Sequence, residues 1–379
     1  MATLRVVGAL GDVPQAAWDA LVAGRSPFLE WEWLNALEET AAVGAKTGWL
    51  PQHLTMWEGE DLVGACPLYV KAHSQGEFVF DHGWATAAHR ARIPYYPKLL
   101  VAVPFTPVTG PRILAAPGTH GQVAAEIAGA LERVCEEQGF SSVHVNFCRD
   151  EDREALEARG WLPRIGYQYQ WVNRGFGSFD DYLESLRSKR RNQVRRERRE
   201  LTEQGVTIET LVGEAIPMEL APLAYRLYRI TVDTNPWGQR YLNERLFAVL
   251  FERWRSRLCL VLARCGGEVI AGTINVQHGG VFYGRYWGAF RPLRHLHFNV
   301  SYYAAVEHCI AQGLTRFEPG AGGEFKQLRG FDATPTYSLH WIRDLRFRAA
   351  VAEYLERERV HVAGEIDWMG ERTAHRRDG

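Results

Sequence analysis

Arg159-Gly160-Trp161, followed by Tyr167 and Trp171, returns later in the chain as Arg329-Gly330-Phe331, followed by Tyr337 and Trp341, at identical internal spacing. Two shorter echoes precede it in the same order. Cys135-Glu136-Glu137-Gln138-Gly139-Phe140 matches Cys309-Ile310-Ala311-Gln312-Gly313-Leu314, and Gly59-Glu60-Asp61-Leu62-Val63-Gly64-Ala65 matches Gly267-Glu268-Val269-Ile270-Ala271-Gly272-Thr273. The offsets shrink along the chain, as they do when loops between copied elements differ in length. A G-E-x-[LI]-x-G turn is common by itself, but three echoes in one order favour an internal duplication.

Each echo places an element. The first is a glycine-tipped turn between two strands rich in apolar and β-branched residues. The second ends a helix. Residues 123–138 read as amphipathic, Gly139 caps them where positive φ is cheap, and a strand follows over 142–147. The counterpart is a helix from about 299 to 312, capped by Gly313, then a strand over 315–318. The third is a helix end and a return strand, 153–159 then 167–171, with 337–342 closing the second copy. Hairpin, helix, strand, helix, strand is a mixed α/β order. It resembles the GNAT acyltransferase fold, in which a glycine-aromatic pair precedes an aromatic strand. The expected fold class is therefore α/β, with two tandem GNAT-like lobes over 1–173 and 174–379. The second lobe opens with a helix over 179–204, for which Ser178 is the N-cap.

Composition narrows the setting. The 379 residues are 46% hydrophobic and 23% charged, with a formal net charge of -1. That is ordinary for a folded protein and excludes a generally basic nucleic-acid coat, so any polyanion site must be local. The six cysteines form no C-x-x-C and no zinc spacing, and no metal is expected. The opening residues lack the pattern of a signal peptide, and no apolar run of about 18 residues stands out as a membrane span. A cytoplasmic, reduced setting is the expectation.

One segment departs from this balance. Arg187-Ser-Lys-Arg-Arg-Asn-Gln-Val-Arg-Arg-Glu-Arg-Arg-Glu200 carries eight basic residues against two acidic ones. Like charges one helical turn apart repel. An anionic partner would offset this, and arginine's planar fork suits phosphate. A solvated helix face balanced by acids elsewhere is the other reading. Lys189, Arg190, Arg191, Asn192 and Arg195 are the candidates for such a contact, with Leu183, Leu186, Val194 and Leu201 burying the opposite side.

The same segment, running on to Glu203-Gln-Gly-Val-Thr-Ile208, resembles the opening of the second lobe in the Fem-type transferases. Gly323-Glu-Phe-Lys326 with Arg329-Gly-Phe331 resembles their F-K signature. Pro94-Tyr-Tyr-Pro-Lys-Leu, Val103-Pro-Phe-Thr-Pro-Val-Thr-Gly-Pro-Arg112, Tyr283-Gly-Arg-Tyr-Trp-Gly288 and Gly320-Ala-Gly-Gly-Glu324 are similar to the FemAB-like branch linked to peptidoglycan biosynthesis or recognition. The resemblance implies a tRNA-dependent aminoacyltransferase. It would join an amino acid from aminoacyl-tRNA to an amine of a peptide or cell-wall-type precursor, with the aminoacyl-tRNA as co-substrate and no cofactor. It also implies that Lys326 meets the tRNA terminus or the developing oxyanion. The repeat adds a second argument, because Phe325 and Lys326 stand where the first copy has Ala155 and Leu156. That difference is expected if only the second lobe does chemistry.

The other candidates come from the residues. Glu324 and Glu318 are candidate bases or amine-positioning groups flanking a glycine-rich turn. Phe325, Arg329, Tyr283, Arg285, Tyr286 and Trp287 are candidate substrate contacts, although core packing would also explain the aromatics. Tyr95, Tyr96, Lys98, Phe105, Thr106 and Arg112 read as a proline-stiffened groove wall or as packing. The Fem-type W-x-K-x-K is absent, since Trp33-Leu-Asn-Ala-Leu37 has no lysine, which puts a nucleotide-sugar acceptor in doubt. Arg240, after Trp237-Gly238, is a candidate replacement. His295 and His297 lack a third metal ligand. No [QR]-x-x-G-x-[GA] precedes either helix of the second echo, which weighs against an acyl-CoA-dependent GNAT N-acyltransferase. That activity and a non-catalytic peptidoglycan or RNA binder are the alternatives.

Overall fold

A computed structural model describes residues 2–235 and 238–376. The chain forms two compact units, Met1–Tyr167 with Pro335–Glu365, and Gln168–Thr334 with Ile366–Gly379. The division falls inside the strands Leu162–Val172 and Asp332–Ile342. The lobes were expected over 1–173 and 174–379. Residues 337–342, read as closing the second copy, instead hydrogen-bond to Ser142–Cys148 and lie in the first unit.

In the first unit, His53–Glu58 and Asp61–Cys66 form the hairpin read at Gly59, whose φ is +62°. A second sheet runs Trp49–Pro51, Leu68–Lys71, Lys98–Val101, Ser142–Cys148 and then residues 335–342. Helices His120–Glu137 and Asp150–Glu157 cover one of its faces. Val143, Val145, Leu339 and Trp341 pack there against Val123, Ile127, Leu131, Leu156 and Trp161.

Alternation along these strands would ordinarily give the other face to water. Here that face is polar and still buried. Tyr69, Lys71, Lys98, Ser142, His144, Asn146, Ser338 and His340 all lie within it, with Lys71 paired to Lys98 and His144 to His340 in the backbone register. Ser142 Oγ meets His144 Nε2 at 2.8 Å, the two Nδ1 atoms of His144 and His340 lie 2.6 Å apart, and His340 Nε2 meets Ser338 Oγ at 2.9 Å. Burial holds both imidazoles neutral, with the His144 pKa down to about 3. Two neutral rings joined through Nδ1 must be opposite tautomers.

In the second unit, Val206–Val212, Leu258–Cys265, Glu268–His278 and Val281–Ala289 form an antiparallel meander. Arg316–Glu318 then pairs parallel to Val281–Ala289 and antiparallel to Trp171–Val172. Helix Ala221–Thr234 packs directly on this sheet. A Cβ on Gly288 would fall 2.1 Å from the Leu227 carbonyl oxygen.

The helix expected over 179–204 is two helices, Phe179–Ser185 and Ser188–Glu203. Ser178 begins the first with a capping box closed by Asp181. Leu186, fully buried, turns extended between them because Leu186 bridges His375 and the Arg187 amide donates to Ala374. Leu183, Leu186, Val194 and Leu201 are buried. The helix of the second echo starts earlier than expected, at Leu296. It opens into a π-turn over Asn299–Tyr303, then runs over Ala304–Ala311 to Gly313 at φ +64°. The charged tail is the helix Leu345–Glu371, and residues 377–379 lie outside the described ones. Among the described residues, no helix is long and apolar enough to cross a membrane.

Candidate functional site

A short 3-10 helix, Glu324–Arg329, lies between Gly323 at φ +87° and Gly330 at φ +74°. Residues three apart eclipse on such a helix, so Lys326 and Arg329 point inward together, 2% and 3% exposed, while Glu324 faces out. Lys326 Nζ donates to the Gly320 carbonyl at 2.7 Å and forms no ion pair among the described residues. Burial pushes its pKa down to about 8.

Arg329 is fully engaged. Its Nη2 reaches both carboxylate oxygens of Glu197 at 3.2 and 3.1 Å, Nε donates to Tyr303 Oη at 2.8 Å, and Nη1 donates to the Phe325 carbonyl at 3.0 Å. The guanidinium carbon stands 3.5 Å from the Phe298 ring centre. Burial would raise the Glu197 carboxyl. Hydrogen bonds from Tyr303 and Gln193, with the charge of Arg329, outweigh it and hold the pKa below its usual value. Glu197 and Arg329 cancel, which leaves Lys326 on this short helix without an ion pair among the described residues.

His297 sits beside this pair, with its ring centre 5.0 Å from Trp287, 5.5 Å from Tyr302 and 5.9 Å from Phe325. Burial first, then the charges of Arg329 and Lys326, push its pKa down to about 4. The imidazole is therefore neutral at pH 7. Among the described residues no group of three His, Cys, Asp or Glu side chains is placed to hold a metal ion.

Glu318 ends its strand opposite Tyr283, is 4% exposed and has Arg316 Nε at 2.9 Å. It follows the cap glycine Gly313 at the same spacing as His144 follows Gly139. The chain from Pro319 to Gly323 then folds against Gly284, where a Cβ would meet Pro319 Cα at 3.2 Å. The second unit thus gathers Lys326, Glu318, Tyr283, Phe325, Arg329 and His297 around one glycine-rich turn, with Glu324 at its exposed edge. The strand is not regular at Arg285, because the register slips between Ile274 and Asn275, so Arg285 is the bulged residue and lies 5.5 Å over the Tyr286 ring. Tyr286 packs on Tyr228, whereas Trp287 packs on His297.

On the basic helix, Lys189 and Asn192 are exposed and Arg190 reaches Gln193 at 3.2 Å. Arg191 and Arg195 share the Glu184 carboxylate at 2.9 and 3.2 Å, and Arg198 pairs with Glu307.

The expected groove wall of the first lobe is interior instead. Lys98 is completely buried against Asp81 and Glu77, and Tyr95 donates to Asp81. Tyr96 meets Ser74 at 2.7 Å, Phe105 packs on Trp49, and Thr106 donates to Pro104. Arg112 spends its guanidinium on the carbonyls of Asn146, Val108 and Pro111. At Lys98 the two carboxylates offset the cost of burying the ammonium. Arg240 is exposed and paired with Asp233, and Trp237 lies outside the described residues.

Sequence reasoning missed Glu197 and Tyr303, and weighed His297 only as a metal ligand. A signal for Glu197 existed, because it lies on the apolar stripe between Val194 and Leu201, where a carboxylate needs a buried cation.

A family model for FemAB-like proteins of peptidoglycan biosynthesis/recognition matches residues 9–377. No curated protein matches the sequence. Among solved structures, FemX aligns at TM-score 0.55 and 12% identity over 90% of this chain and 98% of its own. L-PGS from Bacillus licheniformis aligns at 0.53 and 12%, over 93% and 98%. The C-terminal domain of a putative lysylphosphatidylglycerol synthetase from Agrobacterium fabrum aligns at 0.55 and 9%, over 90% and 96%. At these identities the likeness is one of fold, an α/β architecture of two GNAT-like lobes. The family model spans nearly the whole sequence, and the chain belongs to the FemAB-like family.

Proposed function

We propose that the chain is an aminoacyltransferase that moves an amino acid from aminoacyl-tRNA to an amine of a peptide or cell-wall-type precursor. The observation that carries this reading is Lys326, a buried ammonium with no carboxylate partner among the described residues, held toward the glycine-rich turn by the Gly320 carbonyl. An aminoacyl ester is already activated, so no covalent enzyme intermediate is needed. The acceptor nitrogen attacks the ester carbon, a C–N bond forms, and negative charge builds on the carbonyl oxygen. The C–O bond to the ribose then breaks, and the ribose oxygen leaves with a proton equivalent to the one the amine loses. In this reading Lys326 donates to the developing oxyanion, where a fixed charge in a dry site acts most strongly. Glu318 and Glu324 hold the acceptor ammonium and take its proton. Phe325, Tyr283 and the neutral His297 ring wall the aminoacyl group. Lys189, Arg190, Arg191, Asn192 and Arg195 meet tRNA phosphates.

The test is binding of a charged tRNA pool, against the same pool deacylated, across a salt series, with transfer measured for Lys326→Ala. The expected result is preference for charged tRNA, a steep salt slope reduced by about 0.7–0.9 for each phosphate contact removed by Arg190→Ala or Arg195→Ala, and a transfer rate lower by about 10²–10³. Equal weak binding of both pools with unchanged turnover of Lys326→Ala would overturn the proposal. Thermal stabilisation by acetyl-CoA would then favour acyl-CoA as donor.

A further inference from the structure

The first unit holds a cavity of about 330 Å3, lined by the stretch 91–95, Ser141, Ser142, the stretch 342–344, Arg346 and Phe347. Its floor is apolar, formed by Ile93, Tyr95, Ile342 and Phe347. Its rim carries three arginines, Arg92, Arg343 and Arg346, all exposed. None of the three makes an ion pair among the described residues, whereas Arg153, Arg159, Arg164 and Arg174 each have a carboxylate within 3.1 Å.

The one acidic side chain in the lining is Asp344, and one of its oxygens is committed. Oδ1 accepts the Arg346 and Phe347 amides at 3.0 and 2.9 Å, capping the helix Leu345–Glu371. Three guanidiniums against one carboxylate leave the cavity a net charge of two positive units. A lone carboxylate ligand would neutralise half of that. A phosphate monoester, carrying nearly two negative charges at pH 7, would neutralise it in full, and guanidinium forks match its oxygens. The volume lies at the small end of ligand pockets, which run from about 300 to 1,000 Å3. That gives room for a phosphoryl group and a compact apolar or planar body resting on Tyr95 and Phe347.

We propose that this cavity binds the phosphate monoester group of a small ligand, at a site formed by the first unit alone and separate from the Lys326 turn. The serines at its inner wall continue into the polar sheet face through Ser141 Oγ, Ser142 Oγ and His144. Both histidines of that chain are neutral, so the positive charge that selects the ligand comes from the rim.

The test uses the full chain and inorganic phosphate as probe, by isothermal titration at fixed ionic strength. Phosphate should bind at least about tenfold more tightly than acetate, and Arg343→Ala/Arg346→Ala should weaken it by at least about tenfold, the effect of losing a charge-assisted contact. All three arginines are exposed, so the variant should fold, and an unchanged melting temperature checks this. Arg5→Ala/Arg357→Ala, two exposed arginines outside the lining, should leave phosphate binding unchanged. Wild-type affinity in the pocket variant, loss of binding in this control variant, or acetate binding as tightly as phosphate would each overturn the assignment. A further arm distinguishes sources. Co-sedimentation with phosphatidic acid vesicles, lost in the pocket variant, assigns the phosphate to a lipid headgroup, whereas titration without co-sedimentation assigns it to a soluble phosphoester.

Discussion

Replacing Glu197 with alanine leaves Arg329 buried beside Lys326 with no anion to balance either charge. The pair is almost dry, with side chains 3% and 4% exposed, so solvent cannot replace the lost carboxylate. Removing one partner of a buried ion pair costs about 3–5 kcal/mol, because the remaining charge is stranded. For a unit of this size each kcal/mol lowers the melting temperature by about 2–4 °C, so Glu197→Ala should melt roughly 6–20 °C lower. Glu197→Leu/Arg329→Met removes both charges and should recover most of that loss. Differential scanning calorimetry of the single and double variants reads the coupling directly. There is a second readout at Lys326. With Glu197 gone, the unbalanced guanidinium disfavours a second cation nearby, and the Lys326 pKa should fall further below about 8. A Glu197→Ala melting point within about 3 °C of wild type, or a double variant as unstable as the two singles added together, would refute the claim that this pair supports the site.

Three other outcomes follow from the same structure. If the charged form of Lys326 does the work, transfer should decline as pH rises through about 8, and Lys326→Arg should carry the plateau to higher pH wherever it remains active. Stability should fall with acid below about pH 6.5. The unfolded chain protonates His144 and His340 there while the native rings stay neutral down to about pH 3 for His144, at a slope of about 1.4 kcal/mol per pH unit for each ring; His144→Gln/His340→Gln should flatten that limb in urea titrations at several pH values. Gly288→Ala should destabilise by about 1–3 kcal/mol or more, since its methyl meets the Leu227 backbone at 2.1 Å and not a side chain that can turn away; an unchanged urea midpoint would show that the helix can shift.

The parts of the fold legible in the sequence were those governed by local chemistry. Gly139, Gly313, Gly160 and Gly330 all adopt positive φ at the ends read for them, because a helix stop is written in a few neighbouring residues. Ser178 with Asp181 is equally local. What escaped was set by residues far away in sequence. The break at Leu186 depends on His375, and the bulge at Arg285 on a slip of the partner strand at Ile274. Lys98 and Arg112 looked like groove residues because their prolines and aromatics are contiguous, while the carboxylates Glu77 and Asp81 that draw Lys98 inward lie in an unremarkable loop.

The duplication sharpens the same distinction at the site itself. His144 and Glu318 follow their cap glycines at equal spacing, yet one became part of a neutral, fully buried imidazole pair and the other the end of a short strand beside a glycine-rich turn. The environments differ because the segments that follow differ. After His144 the strand continues to Cys148 and stays closed by its neighbours. After Glu318, Pro319 and Gly320 end the strand and open a turn onto which Lys326 folds. A proline and a glycine at that point convert a sheet interior into the edge of a glycine-rich turn, and among the described residues only there does the chain set a buried ammonium without a counter-charge. The residues of the proposed site therefore cluster where the second copy stops obeying the pattern of the first.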